Sequence, residues 1–286
     1  MPYGFIKHLE NEGYSEETVK SYEKIIVQFF SFIQSTYPGS KEPFQISSTD
    51  IKNYLEEQLN NEKTISTINK ELAILKTLFN YLWEIDKVPV DPAVKIKRFK
   101  VKNLPKVDVT FEELEELLIK VLQNGEYSKL RKVIFLLATK GLKTADFRFK
   151  KEDVKESIKE DTITIQLRKR TITLVGREVT YFQEYFYETI FNGSDYVFTT
   201  KPHGEEYGGP IQVMSILNHL RAISSDYLGE NVQPLTLISI RRAIAFHLYS
   251  QRHSIQAIAK KLGIEENSAS NYLKYLTEGT ILPKST

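Results

Sequence analysis

The chain has 286 residues and no cysteine. This absence excludes disulfide bonds, a thiolate nucleophile and a zinc site with thiolate ligands. The chain also lacks an apolar run close to the ~18 residues that span a bilayer. The stretch MPYGFIKHLENEG lacks the pattern of a secretion signal, in which a basic region is followed by an apolar region and a small-residue cleavage site. We therefore expect a cytoplasmic protein with no membrane segment.

Sequence motifs of several enzyme classes are missing as well. There is no Walker loop, and no Ser-His-Asp arrangement follows from the spacing. The histidines are not paired at metal-ligand spacing, and no cluster of Asp or Glu joins them. They are His8, His203, His219, His247 and His253. The sequence predicts neither a metal ion nor a cofactor.

Charge is nearly balanced over the whole chain, with a net value of +2, but one segment is strongly basic. Residues 95–106, KIKRFKVKNLPK, contain six Lys or Arg and no acid. We call this segment the basic strap. It fits either a solvated linker or a strap across DNA phosphates. Its position between two dissimilar segments favours the second interpretation, with Lys97, Arg98 and Lys100 contacting double-stranded DNA.

Residues 1–94 carry the pattern of a small helical domain. Apolar side chains recur at three- and four-residue spacing in three successive stretches, each preceded by a capping residue. The predicted N-caps are Ser15 for the first helix, Ser48 or Thr49 for the second, and Thr64 or Ser66 for the third.

Residues 107–286 are predicted to be mostly helical with a small antiparallel β-sheet. The stretch TITIQLRKRTITL, residues 162–174, alternates apolar and polar side chains and indicates a β-hairpin. Tyr196, Val197 and Phe198 suggest a further short strand. Helices are expected from the cap at Thr110, at 129–139, and near 211–225, 239–251 and 254–261. The predicted fold class is mainly α with a small antiparallel sheet.

This order of segments resembles the tyrosine recombinases, or phage integrases. The resemblance implies three parts: a helical, SAM-like core-binding domain at 1–94, the basic strap at 95–106, and a catalytic-type domain at 107–286. Three local motifs support it. They are GLKTADF at 141–147, similar to G-L-R-x-S-E-L; ISIRR at 238–242, similar to H-x-L-R-H; and LGIEENSASNY at 262–272, similar to L-G-H followed by the nucleophilic tyrosine.

In that family a tyrosine attacks a DNA phosphodiester and becomes linked to the phosphate. Two arginines stabilise the transition state, a hairpin lysine acts as acid, and histidines orient the phosphate and move protons. When these roles are carried over to this sequence, the first arginine falls on Lys143 and the acidic position on Asp146. The hairpin lysine falls on Lys169, between Arg168 and Arg170, and the second arginine falls on Arg241, next to Arg242. The two histidine positions fall on Ile238 and Ile264. The tyrosine position, one residue short of its expected place, falls on Tyr272.

The resemblance therefore implies an integrase frame with altered chemistry. Ile238 and Ile264 cannot move a proton, and loss of a general acid or base costs about 10²–10⁴ in rate. Lys143 keeps the positive charge but loses the planar fork of arginine. The pattern of lost residues resembles the recombinase-like master repressors of SPβ-type prophages. It predicts a transcriptional repressor that binds DNA through Lys143, Arg168, Lys169, Arg170, Arg241 and Arg242. The alternative is a recombinase that still cuts DNA with Tyr272.

The C-terminal residues allow two further interpretations. Residues 254–276 also look like a helix-turn-helix, with Gly263 in the turn and Ser268 and Asn271 on a recognition helix. Substitution of Ser268 and Asn271 would relax sequence preference only if this interpretation holds. The tail, residues 277–286, could pack on a neighbouring subunit in a homo-oligomer on DNA, or could be frayed.

Overall fold

The structure is a computed structural model that describes residues 2–37, 39, 41–100, 109–200, 208–229 and 232–277. The chain divides into two compact units, Met1–Asn103 and Leu104–Thr286. Within the described residues, helices dominate and one three-stranded antiparallel sheet is present, which confirms the predicted fold class. In the same part of the chain, no helix has the length and apolar character needed to cross a membrane.

Four helices build the first unit, and side-chain caps fix where three of them begin. Ser15 and Thr64 accept the predicted backbone hydrogen bonds. The prediction for the second of the three predicted helices, α3, is wrong, because its N-cap is Ser47 rather than Ser48 or Thr49. Asp50 accepts from both the N–H and the hydroxyl of Ser47, which forms a capping box one residue earlier. The helices are α1 Phe5–Asn11, α2 Glu16–Thr36, α3 Ser48–Asn60 and α4 Ile65–Glu84.

The first unit buries a few polar side chains beside its apolar core, and the carboxylate of Glu71 is one of them. Glu71 is only 2% exposed, yet it accepts hydrogen bonds from the Tyr54 hydroxyl at 2.9 Å and from Lys63 Nζ at 2.6 Å. A buried charge is tolerated when it is paired and hydrogen-bonded. Glu71 therefore links α4 to α3 and to the turn between them.

The beginning of the basic strap packs onto the first unit. Ile96 is buried, and Phe99 packs against the same core. The side chain of Asn69, in α4, forms two hydrogen bonds with the backbone of Phe99. It donates to the carbonyl oxygen at 2.9 Å and accepts from the N–H at 2.8 Å. Lys97, Arg98 and Lys100 are exposed. Residues 101–106 lie outside the described residues, so the passage of the strap over DNA stays a prediction.

In the second unit the predicted hairpin is confirmed. Its strands pair Ile163 with Leu174 and Ile165 with Ile172, and all four side chains are buried on one face. The elements are α5 Phe111–Gln123, α6 Lys129–Thr139, β1 Val154–Ser157, β2 Thr162–Gln166, β3 Thr171–Val175, α7 Arg177–Thr189, α8 Val213–Tyr227, α9 Leu237–Ser250, α10 Ile255–Leu262 and α11 Glu266–Thr277.

The predicted strand at 196–198 is wrong. Tyr196 forms only an isolated bridge with Lys150. A longer ladder cannot form because the chain after Lys150 turns into a 3₁₀ helix, Lys151–Asp153. The third strand is β1 instead, which pairs with β2.

Candidate phosphate-binding site

Lys143 and Asp146 lie just after the buried helix α6, at a turn made possible by Gly141. Gly141 has φ of +78°, and a Cβ atom there would lie 2.8 Å from Leu262 Cδ2. Glycine therefore lets the end of α6 approach α10 closely. The backbone N–H of Lys143 then donates to Asp146 Oδ2 at 3.1 Å, which holds this half-buried lysine at the start of a 3₁₀ turn.

Arg170, at the tip of the β2–β3 hairpin, joins three distant segments. Its Nη2 donates to the carbonyl oxygen of Lys140 at 3.0 Å, and its Nη1 donates to that of Lys261. Burial lowers the pKa of Arg170 to about 10, with Asp146 opposing the shift and Arg241 adding to it. The guanidinium is therefore still charged at neutral pH.

Arg241 lies inside α9 and is 4% exposed. Its Nη2 donates to the carbonyl oxygen of Leu262 at 3.0 Å. The carbonyls of Lys261 and Leu262 end α10, where the helix dipole is negative and intrahelical donors are missing. Arg170 and Arg241 thus satisfy consecutive carbonyls at one helix end. The guanidinium of Arg241 also lies 5.7 Å from the ring centroid of Tyr272.

Lys169 has an acidic partner that the sequence did not suggest. Its Nζ donates to the carboxylate of Glu265, in the turn between α10 and α11. The hydrogen bond from Lys169 and the charge of Lys169 lower the pKa of Glu265, and the charge of Lys143 lowers it further. Glu265 therefore sits in the field of two lysines.

The remaining predicted residues of this region lie at or near the surface. Arg168 is exposed and shares a groove of about 320 Å³ with Asp146. Arg242 is half-buried. Ile238 is 53% exposed, in the first turn of α9 and one turn before Arg241. Ile264 is partly buried and packs on the core.

The second unit thus brings together four cations, which we call the cationic cluster: Lys143, Lys169, Arg170 and Arg241. The charge of Asp146 raises the pKa of Arg170, and the charge of Arg241 lowers it. The charges of Lys143 and Lys169 both lower the pKa of Glu265. Lys97, Arg98 and Lys100 belong to the other unit. The cluster has the charge to attract a phosphate, although its two arginines already donate to main-chain oxygens.

Residues 3–87 match the family model for the phage integrase, N-terminal SAM-like domain. A stretch of 116 residues is 28% identical to the tyrosine recombinase XerC of Thermodesulfovibrio yellowstonii and covers 39% of this chain and 36% of that protein. A stretch of 155 residues is 26% identical to the XerC of Staphylococcus aureus strain Mu50, covering 52% and 50%. The N-terminal part of the chain thus matches a phage integrase domain, and the chain is similar to tyrosine recombinases. The matches span half or less of these relatives' lengths.

Solved structures of integrases share the fold of this chain. The Tn1549 transposon integrase in complex with a circular intermediate DNA has a TM-score of 0.70 at 16% identity, over 93% of this chain and 92% of that one. A lambda integrase dimer bound to a COC' core site has a TM-score of 0.66 at 16% identity, over 94% and 92%. At this identity the likeness establishes the fold alone.

The helix pair α10 and α11 has the local form of the helix-turn-helix that the sequence also suggested. Gly263 takes the left-handed conformation after α10, and Ala269 and Leu273 are buried against the core. Asn271 is exposed and Ser268 is half-buried. A role for Ser268 and Asn271 in reading bases stays a prediction. Residues 278–286, on which the predicted contact with a neighbouring subunit depends, lie outside the described residues.

Proposed function

We propose that this chain is a sequence-specific DNA-binding protein on a tyrosine recombinase fold that does not cut DNA. In this proposal it acts as a repressor of phage or prophage genes. The observation that carries the proposal is the exposed hydrocarbon of Ile238 beside Arg241. The family resemblance expects a histidine at this position, where a phosphate would lie.

DNA binding is supported by charge and by the relatives. The cationic cluster and the exposed cations of the basic strap, Lys97, Arg98 and Lys100, offer positive charge in both units. Integrases of the same fold have been solved as DNA complexes. In the proposal the first unit is a core-binding domain, and Arg168 and Arg242 add phosphate contacts. Phosphate contacts supply most of the non-specific affinity of such proteins.

Loss of cleavage is supported by the chemistry of the cluster. Neither the side chain of Ile238 nor that of Ile264 can donate a hydrogen bond, and one missing donor to a developing charge costs about 10²–10³ in rate. The guanidinium of Arg241 is engaged with the carbonyl oxygen of Leu262 at 3.0 Å. Its role in this chain is then to hold α10 and to supply charge.

A second candidate function has one observation in its favour. The ring of Tyr272 lies beside the guanidinium of Arg241, with the centroid 5.7 Å from it. Arg241 is retained from the family motif, so an active or weakly active recombinase would use Tyr272 as nucleophile and Arg241 to hold the phosphate. Lys169 would then be the acid.

Two measurements separate these functions. The bound sequence is first selected from genomic fragments at low salt, and a duplex carrying it is nicked to trap a covalent intermediate. We expect binding without a protein–DNA adduct, and equal affinity for the wild type and Tyr272→Phe. An adduct that disappears in Tyr272→Phe would establish the recombinase and overturn the proposal. Failure to bind any duplex at low salt would overturn both functions.

The repressor role is tested with a reporter promoter that carries the selected sequence. We expect the wild type to lower transcription. A variant with Lys97, Arg98 and Lys100 changed to alanine should lower it less. Unchanged transcription with a protein that binds the same duplex in vitro would contradict the repressor role and leave DNA binding intact.

A further inference from the structure

Glu265 occupies the position of an anion within the cationic cluster. Its carboxylate accepts a hydrogen bond from Lys169 Nζ, and Lys143 also stabilises its negative charge. The side chains of Lys169 and Glu265 are 48% and 75% exposed, so the pair lies at the surface. Both lysines stand where the family resemblance expects groups that touch the DNA phosphate.

Lys169 is paired with the carboxylate of Glu265, and a DNA phosphate would be a competing partner for the same ammonium group. An ammonium group can approach a carboxylate or a phosphate oxygen, and both are acceptors of the same kind of charge-assisted hydrogen bond. An exposed ion pair is weak and is screened by salt, so a phosphate can displace the carboxylate. The displaced carboxylate would then remain near the phosphate and repel it.

We propose that Glu265 competes with the DNA phosphate for Lys169 and so lowers the affinity of this chain for DNA. The inference rests on the proposed DNA-binding function and names the residue that sets its strength. If Glu265 competes in this way, the chain binds DNA less tightly than the positive charge of the cationic cluster alone would allow. Discrimination then falls on contacts elsewhere, because a phosphate contact at Lys169 carries no sequence information.

The neighbouring residue provides a matched control. Glu266 is also exposed and begins α11, but it accepts a hydrogen bond from Gln256 Nε2 at 3.4 Å rather than forming an ion pair with a lysine. Glu265→Gln and Glu266→Gln remove the same charge from adjacent positions with almost no change in shape. A difference between them therefore reports the contact with Lys169 and not net charge.

The experiment measures binding of the full chain to one fluorescent duplex by anisotropy at several salt concentrations. We expect Glu265→Gln to bind roughly five- to tenfold more tightly at low salt, because Lys169 gains a phosphate. The slope of log affinity against log salt should steepen by about 0.9, the value for one added phosphate contact. Glu266→Gln should change affinity by less than about twofold, with the slope of the wild type. In Lys169→Gln/Glu265→Gln the gain should disappear.

Each result decides the matter. Equal effects of Glu265→Gln and Glu266→Gln on a wild type that binds DNA would overturn this inference and leave the proposed function intact. A gain that persists in Lys169→Gln/Glu265→Gln would also overturn it, because the carboxylate would then act independently of Lys169. Absence of binding by the wild type and every variant would overturn the proposed function and this inference with it. Thermal unfolding curves check that the variants are folded.

Discussion

Arg241 and Leu262 are joined by a hydrogen bond in which the guanidinium donates to the main-chain oxygen at 3.0 Å. The bond ties the middle of α9 to the last residue of α10. Because Arg241 is 4% exposed, the bond is shielded from water. The arginine of the ISIRR motif therefore has a structural role in this chain, which is independent of any contact with DNA.

Arg241→Ala should destabilise the second unit by about 1–3 kcal/mol, the cost of leaving a buried acceptor without its partner. The chain has one tryptophan, Trp83 in α4 of the first unit. In urea, circular dichroism reports both units, whereas Trp83 fluorescence reports the first. We expect the loss of stability to appear in the transition measured by circular dichroism and not in the transition measured by Trp83 fluorescence.

The control for this variant is Arg221→Ala. Arg221 is exposed, and its Nη1 donates a hydrogen bond to Asn218 Oδ1 at 3.4 Å. Its removal should change stability by less than about 0.5 kcal/mol. Equal effects of the two alanine variants would show that the contact between Arg241 and Leu262 contributes nothing.

Gly263→Ala should also destabilise the second unit. Gly263 has φ of +63°, and its added Cβ would lie 3.1 Å from Arg170 Cδ. The left-handed conformation and the displaced Arg170 together should cost about 1–3 kcal/mol. Gly229→Ala is the control, since a Cβ at Gly229 meets nothing within 4 Å. The urea transition by circular dichroism measures both, and a Gly263→Ala variant as stable as the wild type would contradict the expected strain.

Removal of the charges of Lys97, Arg98 and Lys100 should flatten the salt dependence of DNA binding. Each lost phosphate contact lowers the slope of log affinity against log salt by about 0.9. The measurement is anisotropy of one duplex over a range of salt concentrations. A triple alanine variant with the slope of the wild type would remove these residues from the interface.

Asn69→Ala should weaken DNA binding with little change in that slope. Asn69 holds Phe99 by two hydrogen bonds of 2.9 and 2.8 Å, in the middle of the strap's exposed cations. Its loss frees those cations without removing any charge, and the added ordering cost should lower affinity by roughly threefold or more. Asn80→Ala, which removes a hydrogen bond only to Glu84, is the control. If Asn69→Ala and Asn80→Ala bind DNA with equal affinity, the hydrogen bonds from Asn69 to Phe99 do not order the basic strap for DNA binding.

Acid should destabilise the first unit through Asp50. Burial by itself would raise the pKa of Asp50, but hydrogen bonds from Lys41, Tyr37 and Ser47 outweigh it and lower the pKa from 3.8 to about 2. A lowered pKa contributes stability above the unfolded value, and this is lost as the pH falls from about 4 to about 2. The loss should approach roughly 2 kcal/mol.

Trp83 fluorescence in urea at several pH values tests this expectation. Asp50→Asn, which cannot titrate, should remove that part of the pH dependence. If the wild type and Asp50→Asn lose the same stability between pH 4 and 2, other groups are responsible.

Local patterns predicted much of the fold. Ser15, Thr64 and Thr110 cap helices because each offers a side-chain oxygen to a backbone N–H three residues ahead. The hairpin followed from alternation over β2 and β3. Strand β1, with the sequence VKES, has no such alternation, and its partner β2 decides its conformation. Helix α7 was not predicted either, because its aromatic and β-branched residues favour strands and it has no side-chain cap.

The candidate site was predicted only in part, for a different reason. Motif resemblance led to Lys143, Arg241 and Tyr272. Glu265 was missed because its partner Lys169 lies 96 residues away in the sequence. The partners of Arg170 are main-chain oxygens, which leave no trace in residue identity. Long-range pairing and backbone acceptors become visible only once the chain is folded.

Arg170 should also couple the local opening of three segments in the second unit. One guanidinium joins the end of α6, the tip of the hairpin and the end of α10. The ends of α6 and α10 cannot separate from the hairpin tip without breaking a hydrogen bond to Arg170. Amide protons around positions 140, 170 and 261 should therefore exchange with deuterium in a single cooperative event, rather than as three independent local openings.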